Sequence, residues 1–204
     1  MPLADWLWQD IVSDIARGRL KPGQWLRESF LEQAYDTSRV SVREALRTLQ
    51  AQGIVVKVPH SGCRVMEVDD AMAREVFRAR LEIEKLAVAD LLNMIESGNI
   101  ELTALEAAIE HMDDAATAGD AALFEQADLG FHRDICQLSG NRTASLLWQT
   151  LWPHVRIARG LIESRAVNFN SLMQEHVELL HMLRTADRTA LFDAWGDHLF
   201  KHIL

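Results

Sequence analysis

Asp128 and His132 stand four residues apart in a segment whose apolar residues Phe124, Phe131 and Ile135 recur at helical spacing. A carboxylate and an imidazole therefore share the face that should be buried. The same spacing aligns His176 with Leu172, Leu179 and Leu183, and His198 with Leu191 and Trp195. Neither residue type belongs in a plain core: an ionised Asp taken out of water without a partner costs several kcal/mol or changes its charge state. One Asp and three His facing inward from three helices suit a divalent transition metal, zinc first, with nickel or manganese as alternatives. A competing reading is a hydrogen-bonded core network that holds no ion, since a single histidine on an apolar face is usually that. A third is a hydrolytic metalloenzyme using an open metal position, although no further carboxylate or histidine has a clear claim to be its general base. In an earlier segment Arg80 and Glu84 share a face with Val76, Phe77, Leu81 and Val88. They either lie under the bundle or form an i, i+4 ion pair at a solvated edge.

A second constellation is cationic. A helix opening after Ser38 places Arg39, Arg43 and Arg47 at i, i+4 and i+8, with Val42, Ala45, Leu46 and Leu49 on the opposite face. Guanidinium groups one turn apart on an exposed helix can pair with guanine edges in the major groove or with phosphate oxygens. An arginine triplet by itself is commonly only a solvated surface, so the weight falls on what surrounds it.

The elements that position these residues can be read in order. A first helix over residues 3–17 presents Trp8, Ile11, Val12 and Ile15, with Gly18 as its cap. Residues 26–35 read as a short helix, residues 36–38 as a turn with Ser38 as N-cap, and the arginine helix follows until Gly53 ends it. Residues 54–58 are β-branched, Pro59-His60-Ser61-Gly62 is a turn, and residues 63–66 return, which makes a hairpin wing. From Asp70 onward every long segment has helical spacing, with breaks near Gly98-Asn99, Gly119-Asp120, Gly140-Asn141, Asn168 and Asp187, leaving about six helices. Pro153 should kink one of them. The expected fold is mainly α: an N-terminal winged helix-turn-helix over residues 1–68, then an all-α bundle over residues 69–204.

Composition agrees with two parts of different character. The 204 residues are 49% hydrophobic, enough for a sizeable core. Through Val68 there are nine Lys+Arg against eight Asp+Glu; beyond it there are twelve against twenty-two, which together give the net charge of −9. DNA binding should therefore be confined to a local basic face of the first part and be strongly salt-dependent. Cys63 and Cys136 form neither a CxxC pair nor a disulfide framework, so a reduced, cytoplasmic protein is expected. There is no basic-then-apolar leader, no apolar run near the ~18 residues of a membrane span, and no repeat of fixed period.

The runs Leu20-Lys21-Pro22-Gly23-Gln24-Trp25-Leu26, Ser38-Arg39-Val40-Ser41-Val42-Arg43-Glu44-Ala45-Leu46-Arg47, Gln52-Gly53-Ile54-Val55 and Pro59-His60-Ser61-Gly62-Cys63-Arg64-Val65 resemble, densely and in order, the winged helix of GntR-type bacterial transcription regulators. Asp36 stands where that family usually has glycine, a substitution Asp tolerates because it visits the left-handed region. Val40-Ser41 replaces a common Thr-Pro pair, which bears on base preference and should not stop the helix. Downstream, Ala127-Asp128-Leu129-Gly130-Phe131-His132, Ser139-Gly140-Asn141, Glu175-His176 and Asp197-His198-Leu199 resemble the FadR-type C-terminal (FCD) domain that accompanies it. The resemblance implies operator contacts from Ser38, Arg39, Ser41, Arg43, Arg47 and Gly62, and metal ligation by Asp128, His132, His176 and His198. It also places Arg80 and Glu84 in the effector pocket. A metal with open positions beside a guanidinium suits a small organic-acid effector. His60, His111, His154, His181 and His202 match no ligand position. The expected protein is a homodimeric, non-enzymatic regulator, a repressor first, on a roughly palindromic operator with half-sites about one helical turn apart. Only six residues follow His198, so the last helix is expected to be short for this family.

Overall fold

The computed structural model describes residues 3–59, 61–98, 100–162, 168–185 and 188–201. The expectations attached to His60, Asn99, Asp187 and His202 fall outside them. The described residues form two compact units.

The first unit begins with α1 (Leu3–Ala16), β1 (Trp25–Leu26), α2 (Glu28–Ala34), α3 (Arg39–Ala51), β2 (Val55–Val58) and β3 (Gly62–Val65). Ser38 caps α3 as its spacing suggests: its backbone is extended and its Oγ accepts the Ser41 N–H at 3.2 Å. Asp36 has φ +44°, so it holds the left-handed turn between α2 and α3 despite its Cβ. One face of α3 is fully interior, with Val42 and Leu49 at 0% exposure, in a core shared with Ile11, Val12 and Leu31. The Trp8 indole N–H also donates to the Gln52 side-chain oxygen at 2.8 Å, tying α1 to the end of α3. The three strands are antiparallel in the order β1-β3-β2. Leu26, expected at the start of a helix, is instead extended and pairs with Cys63 in β3. Burying Leu26 in the core requires its backbone to be satisfied, and the edge of β3 does so. The helix then starts two residues later, at Glu28.

The second unit contains α4 (Asp70–Glu96) from Glu75 onward, α5 (Thr103–Ala118), α6 (Ala121–Leu138), α7 (Arg142–Ile162) to Trp152, α8 (Phe169–Thr185) and α9 (Arg188–Lys201). Asp120 caps α6 by accepting the N–H groups of Ala122 and Leu123 at 2.9 and 3.0 Å. That fixes where α6 starts and hence which of its residues face inward. α5 packs on α6 and α8, and α8 on α9.

Helix α7 continues through Pro153, which supplies no N–H to its turn. Beyond that proline the helix belongs to the first unit. Ile157 is 2% exposed in the core built around α1 and α3, and a side chain at Gly160 would run into the backbone carbonyl of Ala16. The division expected between residues 68 and 69 is linear, whereas the first unit runs to Arg74 and also takes in α7 from Pro153 onward. Among the described residues no helix is long and apolar enough to cross a membrane.

Candidate functional site

In the first unit, α3 exposes the side chains of Arg39 and Arg43 at 63% and 54%, and Arg47 is also exposed on the same face. An open groove lies between the start of α2 and α3 on one side and the wing on the other, lined by Glu28, Arg39, Ser61 and Gly62 among others. Gly62 has φ +106°, a backbone that disfavours any side chain, so the wing tip keeps a bare approach. Ser41 departs from its expected role: it is 9% exposed and its hydroxyl is bonded to that of Ser38 at 3.0 Å. It belongs to the helix cap and does not face solvent as a ready DNA contact.

In the second unit, Asp128, His132, His176 and His198 are all buried, and one ligand atom from each lies within 4.8 Å of the others. The histidines are oriented by what their Nδ1 atoms meet. His176 Nδ1 lies 2.8 Å from the Leu172 carbonyl, which can only accept, so Nδ1 carries the proton. His132 Nδ1 lies 2.8 Å from Glu84 Oε2, and His198 Nδ1 lies 3.0 Å from Glu175 Oε2. With each Nδ1–H donating outward, each Nε2 presents its lone pair inward. His132 Nε2 and His198 Nε2 are 3.3 Å apart, and His176 Nε2, which has no hydrogen-bond partner, is 3.3 Å from Asp128 Oδ1.

Burial, reinforced by the Arg80 charge, pushes His132 down to about 4, and burial with the neighbouring His176 pushes His198 down to about 3. Both rings are neutral at neutral pH. The Nε2 lone pairs of His132 and His198 then face each other at 3.3 Å with no proton between them, an arrangement a cation resolves. The donor set, three imidazole nitrogens and one carboxylate, fits a divalent transition metal.

Glu84 differs from its expected role as an effector contact. Its Oε1 accepts from Arg80 Nε at 2.6 Å, and its Oε2 accepts from His132 Nδ1 and from the Trp195 indole N–H at 2.8 and 2.7 Å. Burial would raise its carboxyl, but the Arg80 charge and then His132 pull it down to about 2. Four lone-pair directions and three donors leave this carboxylate little to offer a ligand. Arg80 is different: it is 2% exposed, its guanidinium lies 5.3 Å from the Trp148 ring centre and 5.6 Å from that of Phe77, and its Nη2 has no partner. The solvated-edge alternative for Arg80 and Glu84 is thereby excluded.

The FCD domain family matches residues 75–201, and the family of bacterial regulatory proteins known as gntR matches residues 3–65. The chain belongs to the GntR family and carries its FCD domain. The FCD match begins at Glu75, the first residue of the second unit. Among GntR-type relatives, the transcriptional regulator LutR of Bacillus subtilis is 30% identical over 205 residues, covering 91% of this chain and 92% of its own. The gluconate operon transcriptional repressor of the same species is 23% identical over 186 residues, covering 88% and 75%. The solved structure of Escherichia coli McbR superposes with a TM-score of 0.81 at 22% identity, over 100% of this chain and 96% of that one, which shows a shared fold. This GntR-family chain is thus a transcriptional regulator, as the relatives it matches are named.

Several working residues of this GntR regulator had no role assigned from sequence. Glu175 orients His198 and is itself held by Lys201 Nζ at 2.6 Å. Its position next to His176 in the chain was the available signal. Trp195 and Trp148 read only as apolar stripe, and Glu28 only as part of a short helix.

Proposed function

We propose that the chain is a homodimeric repressor, acting in the cytoplasm, that reads operator DNA with Arg39, Arg43 and Arg47 on α3, the Ser38 turn and Gly62 in the wing. Its operator affinity is controlled by a small organic acid bound in the second unit. The observation that carries the reading is the convergence of Asp128 and three inward Nε2 atoms in a buried unit that also holds the unpartnered Nη2 of Arg80. Asp128, His132, His176 and His198 would hold a divalent transition metal, which when bound supplies Lewis-acid attraction for a carboxylate. Arg80 would pair with the acid's second oxygen or second carboxylate, as an orphaned guanidinium nitrogen in a buried site requires. Glu84 and Glu175 act as positioning residues that fix the tautomers of His132 and His198. Both are committed to that work, which weighs against a hydrolytic metalloenzyme: neither is available as a general base.

Helix α7 supports a route from pocket to reader. Trp148, in its first half, lies 5.3 Å from the Arg80 guanidinium and is tilted against His132 with ring centres 6.2 Å apart; Ile157 and Gly160, in its second half, lie in the core and against α1 of the DNA-reading unit. Because the acid must bind one state better than the other to shift anything, displacement of Trp148 is the proposed differential contact.

The test is selection of genomic fragments by the purified protein at moderate salt, with metal analysis of the same preparation. Enrichment of a short palindrome, with metal that is lost on His176→Ala and on Asp128→Ala, is the expected result. No enrichment by an intact dimer would remove the operator reading, and unchanged metal content in both variants would remove the ligand assignment.

A further inference from the structure

Glu28, the first residue of α2, sits against the arginine face of α3. Its Oε2 accepts from Arg39 Nε at 2.8 Å, and its two oxygens accept from Arg43 Nε at 3.0 and 3.1 Å. Glu32 stands 3.9 Å from Arg39 as an outer neighbour. Both guanidinium groups are gripped by the same edge, the Nε edge. Among the described residues no hydrogen bond to the protein is recorded from the terminal nitrogens of either, and Arg47, one turn on, has no ion-pair partner. The Arg43 bond, followed by the Arg39 bond, holds the Glu28 carboxyl below its ordinary range, so the group is charged wherever the protein is folded near neutrality.

These contacts do little for the fold. The Arg39 and Arg43 side chains are more than half exposed and the Glu28 side chain is 32% exposed, and ion pairs of that kind contribute little to stability. Their consequence lies in what the arginines can do next. Two unpaired guanidiniums one turn apart would repel each other, sample many rotamers and take any phosphate on offer. A shared carboxylate removes part of the repulsion, orders both side chains in advance, and points their terminal forks away from itself. It also places a negative charge where a phosphate would otherwise settle. A fork held by its Nε edge can still meet guanine O6 and N7 through its terminal nitrogens.

We propose that Glu28 is a specificity-determining positioning residue for DNA reading: it presents Arg39 and Arg43 to base edges by their terminal nitrogens and penalises phosphate contacts made without base pairing. This rests on the reading of α3 as the DNA-contacting helix. Specificity here comes partly from a repulsive element aimed at the wrong partner, any duplex lacking the right bases. The ordering of two long side chains before binding adds to affinity only where both find their partners.

The experiment compares wild type with Glu28→Gln, Glu28→Asp, Glu44→Gln and Arg43→Ala on two duplexes of equal length. One is enriched by the wild type from a random-sequence library and the other is unselected; both are titrated over a salt series. Glu44 lies exposed on α3, and no ion pair is recorded for it among the described residues, so Glu44→Gln controls for loss of a negative charge alone. Glu28→Gln is expected to tighten the unselected duplex and weaken the enriched one, cutting their ratio by roughly fivefold or more beyond the control, given the cost of ordering two side chains. Its salt dependence on the unselected duplex should steepen by about one released counterion. Glu28→Asp, which keeps the charge and shortens the reach, should weaken the enriched duplex while leaving the unselected one unchanged. If Glu28→Gln moved both duplexes by the factor seen with Glu44→Gln, the inference would be overturned while the reading of α3 stood. Failure to enrich any sequence, or no loss on either duplex with Arg43→Ala, would overturn that reading itself.

Discussion

The buried cluster is governed by which nitrogen of each imidazole carries its proton. Glu84 fixes this for His132 while balancing the buried charge of Arg80, so a single side chain serves both the proposed metal ligand and the proposed anion contact. Glu84→Gln removes the charge and leaves Arg80 buried beside a neutral amide. Breaking a buried pair in this way costs about 3 to 5 kcal/mol, and losing a ligand's outer partner costs roughly 10- to 100-fold in metal affinity. Denaturant unfolding and competition with a chromophoric chelator should show both losses in the one variant. Acidity acts on the same residues. The folded-state values of His132 and His198, about 4 and about 3, lie below the ordinary 6.5, so in that window the unfolded chain binds more protons than the folded one. Stability is then complete above the ordinary value and declines as pH falls through the window, by up to about 1.4 kcal/mol per pH unit for each histidine. Chelator-treated protein should accordingly melt lower at about pH 5 than at about pH 7.5; a flat profile would mean that these rings are not buried neutral.

At the scale of elements, α7 asks most of its sequence. Glycine inside a helix is ordinarily unfavourable by about 1 kcal/mol relative to alanine, so Gly160→Ala ought to stabilise a helix that touches nothing. The alanine methyl would instead meet the Ala16 carbonyl of α1, which is backbone and cannot swing away. The predicted sign is therefore reversed: Gly160→Ala should lower stability by about 1 to 3 kcal/mol, as overpacking does. An increase in melting temperature would show that α7 does not lie so close to α1. Helix α3 gives a gentler prediction. Ser38→Ala loses the N-cap bond to Ser41 and should cost about 1 kcal/mol, while operator contacts by the arginines persist.

For the molecule as a whole, metal and acid are expected to act as linked ligands of the folded state. Removing the metal should lower the melting temperature, and stoichiometric zinc should restore it, because an ion bound only by the native form stabilises in proportion to its occupancy. A panel of small hydroxy- and dicarboxylic acids should raise the melting temperature of the metal-loaded protein and have little effect on the metal-free one. The member that does so should also weaken operator binding if the regulator is a repressor released by its effector. The same acid binding equally well without metal would detach the effector pocket from Asp128, His132, His176 and His198.

The chain's periodicity and punctuation were sufficient for the winged helix-turn-helix, the helical bundle, the two faces of α3 and the inward placement of Asp128, His132, His176 and His198. All of these depend on spacing along a single helix or on a local turn such as Ser38 or Asp36. Sequence could not show what meets across elements. The approach of Glu28 to Arg39 and Arg43, the capture of Glu84 by donors from three helices and the orphaned nitrogen of Arg80 are each set by packing between elements. The two-residue strand at Trp25–Leu26 is too short to have a period, and exists because β3 offers it a partner. Nor does any residue in α7 announce that the helix is shared by both units. That follows from the length of α7 and from Gly160, whose missing side chain acquires a meaning only when α1 lies against it.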